Sequence, residues 1–121
     1  MKLGVLGCGN MAQAIVTPWC EFDSLVEIFT FTPTQTKAYD LAKKHSGRVI
    51  EKLEDFPQCD VYLMACKPGQ IEQLASSLKI KNSDSICISV LAGVETSTLR
   101  SLFNHPRWIR LMPNTPTSVR E

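Results

Sequence analysis

The chain has 121 residues, with 13 Lys and Arg against 12 Asp and Glu, for a formal net charge of +1. That length is one domain's worth and excludes a second full lobe built from the same residues, while an apolar share of 44% excludes a disordered chain. The near-neutral charge, with no basic block, argues against nucleic acid or an anionic membrane as the main partner.

Lys2–Leu6 is a short apolar run closed by Gly7 and reads as a buried strand. Met11, Ala14 and Ile15 then recur at helical spacing. Pro18 lacks an N–H and clashes with the preceding turn, so this helix should end or kink near Thr17. Val26–Phe31, rich in branched and aromatic residues, reads as a second strand. In Thr32-Pro33-Thr34-Gln35, Thr32 suits an N-cap, Pro33 the first helical position, and Gln35 completes a capping box. The helix that follows sets Ala38, Leu41, Ala42 and His45 on one face, with Gly47 as its C-terminal cap. Arg48–Ile50 is a weak strand, and Val61–Cys66 a strong buried one broken by Lys67-Pro68-Gly69. Ile71, Leu74, Ala75 and Leu78 mark a helix, Ile86–Val90 a strand followed by Leu91-Ala92-Gly93, and Thr96–Phe103 a short helix. Trp108–Met112 is a last strand, closed by Pro113-Asn114-Thr115-Pro116. Near-continuous apolar strands alternating with amphipathic helices predict an α/β fold, a doubly wound, mostly parallel sheet covered on both faces, as one domain over residues 1–121.

The five cysteines form no Cys-x-x-Cys pair and read as reduced thiols packed as small hydrophobes, with no disulfide framework or metal site. No stretch nears the ~20 apolar residues that span a bilayer, and the first apolar run is too short for a signal peptide, so a soluble, cytoplasmic protein is expected. His45 and His105 read as surface residues, and no catalytic Ser/His/Asp, Cys/His or paired-carboxylate set emerges.

Gly7-Cys8-Gly9-Asn10-Met11-Ala12 fits G-x-G-x-x-A between the first strand and the first helix. Gly7 permits the tight turn, Gly9 lets a pyrophosphate approach the backbone, and Ala12 keeps the helix close to the strand. The N–H groups of the first helical turn then face the anion. Sites that prefer NAD place a carboxylate at the end of the second strand to hold the ribose 2′-hydroxyl. Here that strand ends in Thr30-Phe31-Thr32, and Glu27 comes too early. Thr32, Thr34 and Lys37 offer hydroxyls, helix N-terminal amides and a positive charge, which favours NADP(H) and leaves NAD(H) possible. Lys67-Pro68 and Ala92-Gly93 fall at the carboxyl edge where open α/β sheets bind ligands, although a plain strand terminator with a solvated lysine explains Lys67 equally well. Asn114, held between two prolines, stands either at a ligand or in an ordinary turn.

Four blocks taken together carry a resemblance: Leu3-Gly4-Val5-Leu6-Gly7-Cys8-Gly9-Asn10-Met11-Ala12, Val61-Tyr62-Leu63-Met64-Ala65-Cys66-Lys67-Pro68, Ser89-Val90-Leu91-Ala92-Gly93-Val94, and Arg110-Leu111-Met112-Pro113-Asn114-Thr115-Pro116. Over essentially its whole length the chain resembles the N-terminal domain of the pyrroline-5-carboxylate reductase family. The resemblance implies a Rossmann-like domain and the reduction of 1-pyrroline-5-carboxylate to proline with NAD(P)H. By it, Leu6, Gly7, Cys8, Gly9, Asn10 and Met11 hold the pyrophosphate, and Thr32 and Thr34 face the adenosine ribose and any 2′-phosphate. Ala65, Cys66, Lys67 and Pro68 line the ribose-nicotinamide side, Val90, Leu91 and Ala92 continue that wall, and Asn114 sits near the nicotinamide. Pro18, Lys52 and Cys66 depart from the family's usual residues.

In that family a C-terminal helical domain follows, supplying substrate-binding and proton-donating groups and the dimer contacts, whereas this sequence stops at Arg120-Glu121. The expectation is therefore weak NADP(H) binding, poor turnover and some self-association through an apolar surface near Asn114. Two other readings stay open: a non-catalytic nucleotide-binding module, and another small imine or deazaflavin-linked reductase.

Overall fold

The computed structural model describes residues 1–32 and 36–111. Its elements are β1 (Lys2–Leu6), α1 (Asn10–Phe22), β2 (Glu27–Phe31), α2 (Thr36–Lys44), β3 (Arg48–Val49), β4 (Val61–Met64), α3 (Ile71–Ser77), β5 (Ile86–Ser89), α4 (Thr96–Phe103) and β6 (Trp108–Arg110). Short 3₁₀ turns at Leu53–Asp55 and Pro68–Gln70 precede β4 and α3. The strands form one sheet in the order β3-β2-β1-β4-β5-β6, every pair parallel. The capping box at Pro33 and Gln35 and the Pro-Asn-Thr-Pro close lie outside the described residues.

Alternation along the strands divides the core in two. Leu3 and Val5 of β1, with Val61 and Leu63 of β4, pack with Ala12 and Val16 of α1 and Ala38 and Leu41 of α2. Leu6, Tyr62 and Met64 point the other way, toward Leu74 of α3, Leu99 and Phe103 of α4, and Trp108. Both faces of the sheet are therefore apolar, which is why β1 and β4 read as unbroken hydrophobic runs. No helix among the described residues is long and apolar enough to cross a membrane.

Four local expectations need correcting. α1 does not stop near Thr17: it runs through Pro18 to Phe22, with Pro18 on the exposed side, where water can serve the carbonyl that loses its donor. Its core-facing stripe is Ala12 and Val16, with Ile15 and Trp19 partly covered, while Ala14 is exposed. At the end of α2, Ser46 takes the left-handed conformation (φ 57°) and the Gly47 N–H closes the turn on the Ala42 carbonyl at 2.7 Å. Gly47 is needed for a different reason: a Cβ there would lie 2.7 Å from the Ile28 carbonyl oxygen. His105 is buried, its Nε2 2.7 Å from the Ser85 carbonyl oxygen, and its own carbonyl accepts the Trp108 indole N–H at 3.0 Å. It ties the start of β6 to the start of β5.

Since Pro18 costs α1 a backbone bond, Pro18→Ala should stabilise the fold by about 1–2 kcal/mol, after allowing for the freer unfolded chain. Equilibrium unfolding in urea reads this directly, and an unchanged or lower stability contradicts it.

The cysteines are unpaired, and Cys8, Cys59 and Cys87 are buried. Desolvation pushes these three thiols from 9.0 up to about 12. Below pH 9 the folded and unfolded chains both keep these protons, so the thiols contribute their full share of stability. As pH climbs toward 12 the unfolded chain releases protons that the folded chain retains, and that share is lost. The urea midpoint should fall through this alkaline window, and less steeply in Cys87→Ala. A midpoint that stays level across it would refute the linkage.

Candidate cofactor-binding site

The sheet's hydrogen bonding continues one residue past most strand ends. The Gly7 N–H donates to the Phe31 carbonyl at 2.8 Å, Ala65 to Leu6 at 2.8 Å, Val90 to Met64 at 3.2 Å and Leu111 to Ser89 at 2.8 Å. These bonds set the carboxyl ends of the strands in one row. The chain leaves β1 for β2 on one side, and β4 lies on the other. That reversal opens a crevice outside the carboxyl ends, the place where doubly wound sheets take ligands.

Gly7 stands at the crevice in a left-handed conformation, φ +95°. A Cβ there would lie 2.5 Å from the carbonyl carbon and oxygen of Ala65 and from the Cys66 nitrogen. The turn after β1 is thus pressed against the exit of β4, and both angle and contact require glycine. Gly9 is the opposite case. Its φ is −78°, open to any residue, and a Cβ there would meet nothing within 4 Å. Neither the backbone nor the packing demands glycine, and the missing side chain leaves free space directly before α1. The first intrahelical bond runs from the Gln13 N–H to the Gly9 carbonyl at 3.1 Å, and the first turn holds no acidic residue. The N–H groups ahead of Gln13 are therefore available to an anion, with the positive end of the helix dipole behind them.

The remaining expected site residues divide by what they expose. Leu6 and Cys8 are buried and offer only backbone. Asn10 is exposed, and Met11 and Val90 are half-buried. Thr32 is 5% exposed, directly after β2. Lys67, Pro68 and Ala92 are exposed, whereas the Leu91 side chain turns into the core. The Lys67 N–H donates to Gln70 Oε1 at 3.3 Å, and the Gln70 N–H donates back to the Lys67 carbonyl at 2.9 Å, which fixes the turn after β4. Burial pushes the Cys66 thiol up to about 11, so it is protonated and not an activated nucleophile at neutral pH. Thr34 and Asn114 lie outside the described residues. Among the described residues no group of His, Cys, Asp and Glu is arranged to hold a metal.

A cleft of about 260 Å3 opens beside Gly7 and extends toward Phe31. Beside Leu6 and Cys66, its walls include Leu53, Gln70, Gln73 and Leu74, four residues that no sequence signal marked as part of a site. The helical spacing of Leu74 announces core packing, and the cleft forms where the 3₁₀ turn at Leu53–Asp55 meets the start of α3.

A parallel sheet in this strand order, with a glycine turn entering a helix at its point of reversal, defines a Rossmann-type dinucleotide-binding domain. A family model described as NADP oxidoreductase coenzyme F420-dependent matches residues 2–93, and the chain belongs to that family. It is 33% identical to the pyrroline-5-carboxylate reductase of Escherichia coli, over 98% of this chain and 46% of that protein. The solved 1-pyrroline-5-carboxylate reductase of Streptococcus pyogenes superimposes with a TM-score of 0.75 at 25% identity, covering 94% of this chain and 43% of that one. The fold is shared with the Plasmodium falciparum pyrroline carboxylate reductase solved with NADP bound, at a TM-score of 0.74 and 21% identity, over 96% of this chain and 43% of that one. The chain spans less than half the length of the curated relatives it matches.

Proposed function

We propose that this chain binds NADP(H) across its carboxyl edge and forms the cofactor-holding part of a pyrroline-5-carboxylate reductase, which reduces 1-pyrroline-5-carboxylate to L-proline. The observation that carries the cofactor reading is the open space before Gly9 at the N-terminus of α1. The relatives' names carry the substrate. The pyrophosphate lies against the backbone from Leu6 to Met11, and the 2′-phosphate near Thr32 and Thr34. The nicotinamide half runs along Ala65, Lys67, Pro68, Val90 and Ala92 toward Asn114. Cys66 departs from the ribose-nicotinamide wall expected of it: it shares a cleft with Phe31, and in this reading its side chain faces the adenosine half. Bound NADPH supplies a hydride for the imine carbon. The described edge offers backbone groups, protonated thiols, apolar side chains and the neutral polar side chains of Asn10, Thr32, Gln70 and Gln73 beside the exposed Lys67, so the chain's part is to bind and orient.

Titration with NADPH and NADH, followed by nucleotide fluorescence, tests this reading. NADPH should bind several-fold tighter, because no carboxylate at the end of β2 repels the 2′-phosphate. No binding at millimolar cofactor would sink the site. The family description favours a second reading, hydride exchange between NADP and the deazaflavin F420, and reduction of F420 in preference to the imine would select it. Ile109 and Leu111 are exposed on and just after the terminal strand β6, which supports self-association; a single monomeric sedimentation profile at all concentrations would refute it. A cytoplasmic location accords with the unpaired cysteines.

A further inference from the structure

The cleft between the glycine turn and Phe31 has more built into it than holding a pyrophosphate requires. At about 260 Å3 it is smaller than the roughly 300–1,000 Å3 typical of whole-ligand pockets, a size suited to one ring system. It begins at Gly7 and runs toward the end of β2, the strand whose end holds the ribose nearer the base. If the cofactor lies as proposed above, the base attached to that ribose enters this cleft, and the nicotinamide lies on the other side of the turn.

The chemistry of the walls matches a flat base with a polar rim. Phe31, Leu53 and Leu74 give apolar surface for its faces. Two carboxamides, Gln70 and Gln73, stand one helical turn apart at its border. Gln70 has its Oε1 engaged by the Lys67 N–H at 3.3 Å, which directs its NH2 as a donor. Gln73 is exposed; its backbone carbonyl accepts from Ser76 Oγ at 2.8 Å, and its side-chain amide makes no hydrogen bond among the described residues. Its side-chain amide therefore keeps a donor and an acceptor side by side. Adenine presents the complement, an N6 amino donor next to the N7 acceptor, and glutamine pairs with that edge in two parallel bonds. Hypoxanthine places acceptors at both positions, which one amide cannot match.

We propose that Gln73, supported by the Gln70 amide, reads the N6/N7 edge of the cofactor's adenine and makes this cleft selective for adenine over other purine bases. This inference rests on the proposed cofactor reading. Its test compares NADPH with nicotinamide hypoxanthine dinucleotide phosphate in its reduced form, each titrated into the full chain and into Gln73→Leu. The wild-type chain should hold the adenine form about tenfold more tightly, the scale of one bidentate base contact. Gln73→Leu should lose most of that preference by weakening NADPH alone, with an unchanged melting curve because the residue is exposed. Equal affinities in the wild type, or a preference that survives Gln73→Leu, overturn the adenine assignment and leave the dinucleotide site standing if Gly9→Val still abolishes binding. A wild-type chain that binds neither dinucleotide overturns both readings.

Discussion

Gly9→Val is expected to leave a folded domain that no longer binds NADPH, with affinity reduced more than about 100-fold, or roughly 3 kcal/mol. The φ of −78° suits valine, and a Cβ meets nothing within 4 Å, so the substitution finds no clash inside the protein. Its stability cost is limited to the poorer N-cap that valine makes, about 1 kcal/mol or less. The branched side chain would instead fill the space before α1 where the pyrophosphate must approach. Thermal unfolding and NADPH titration of the same preparation separate the two effects. Normal NADPH affinity in a folded Gly9→Val chain would show that the anion is held elsewhere.

Gly7→Ala, two residues away, should do the reverse and damage the fold itself. The methyl group would be forced to φ +95° and into the Ala65 carbonyl at 2.5 Å, and neither the turn nor the β4 exit can yield without breaking the edge bonds they share. Left-handed strain adds to a backbone clash, and the loss should be on the order of 3–5 kcal/mol, enough to unfold a marginal domain. Urea denaturation measures it, and a wild-type midpoint would mean that the turn relaxes freely. The two glycines share one motif, yet one serves the fold and the other the ligand.

Much of this was legible in the residues. The unbroken apolar runs of β1 and β4 announced strands buried on both faces, and the glycine turn between β1 and α1 marked the edge where the site lies. The strand order, which creates the crevice, was not legible, because parallel neighbours are chosen by packing between distant segments. Pro18 misled because local propensity forbids it mid-helix, while the burial of Val16 and the partial cover of Trp19 on either side hold the helix together. His105 looked like a loop residue next to a proline. Its burial depends on the Ser85 carbonyl twenty residues earlier. The cleft was hidden for a similar reason, since Leu53 and Gln73 are distant in sequence and each is unremarkable alone.

The bonds that continue the sheet beyond its strand ends also bear on how a ligand is received. They tie Gly7 to Phe31, Ala65 to Leu6 and Val90 to Met64, so the rim is part of the same cooperative lattice as the core. A rim of this kind is already ordered before any cofactor arrives. Little conformational entropy remains to be lost on capture, so the binding energy can go into choosing between nucleotides rather than into assembling the site.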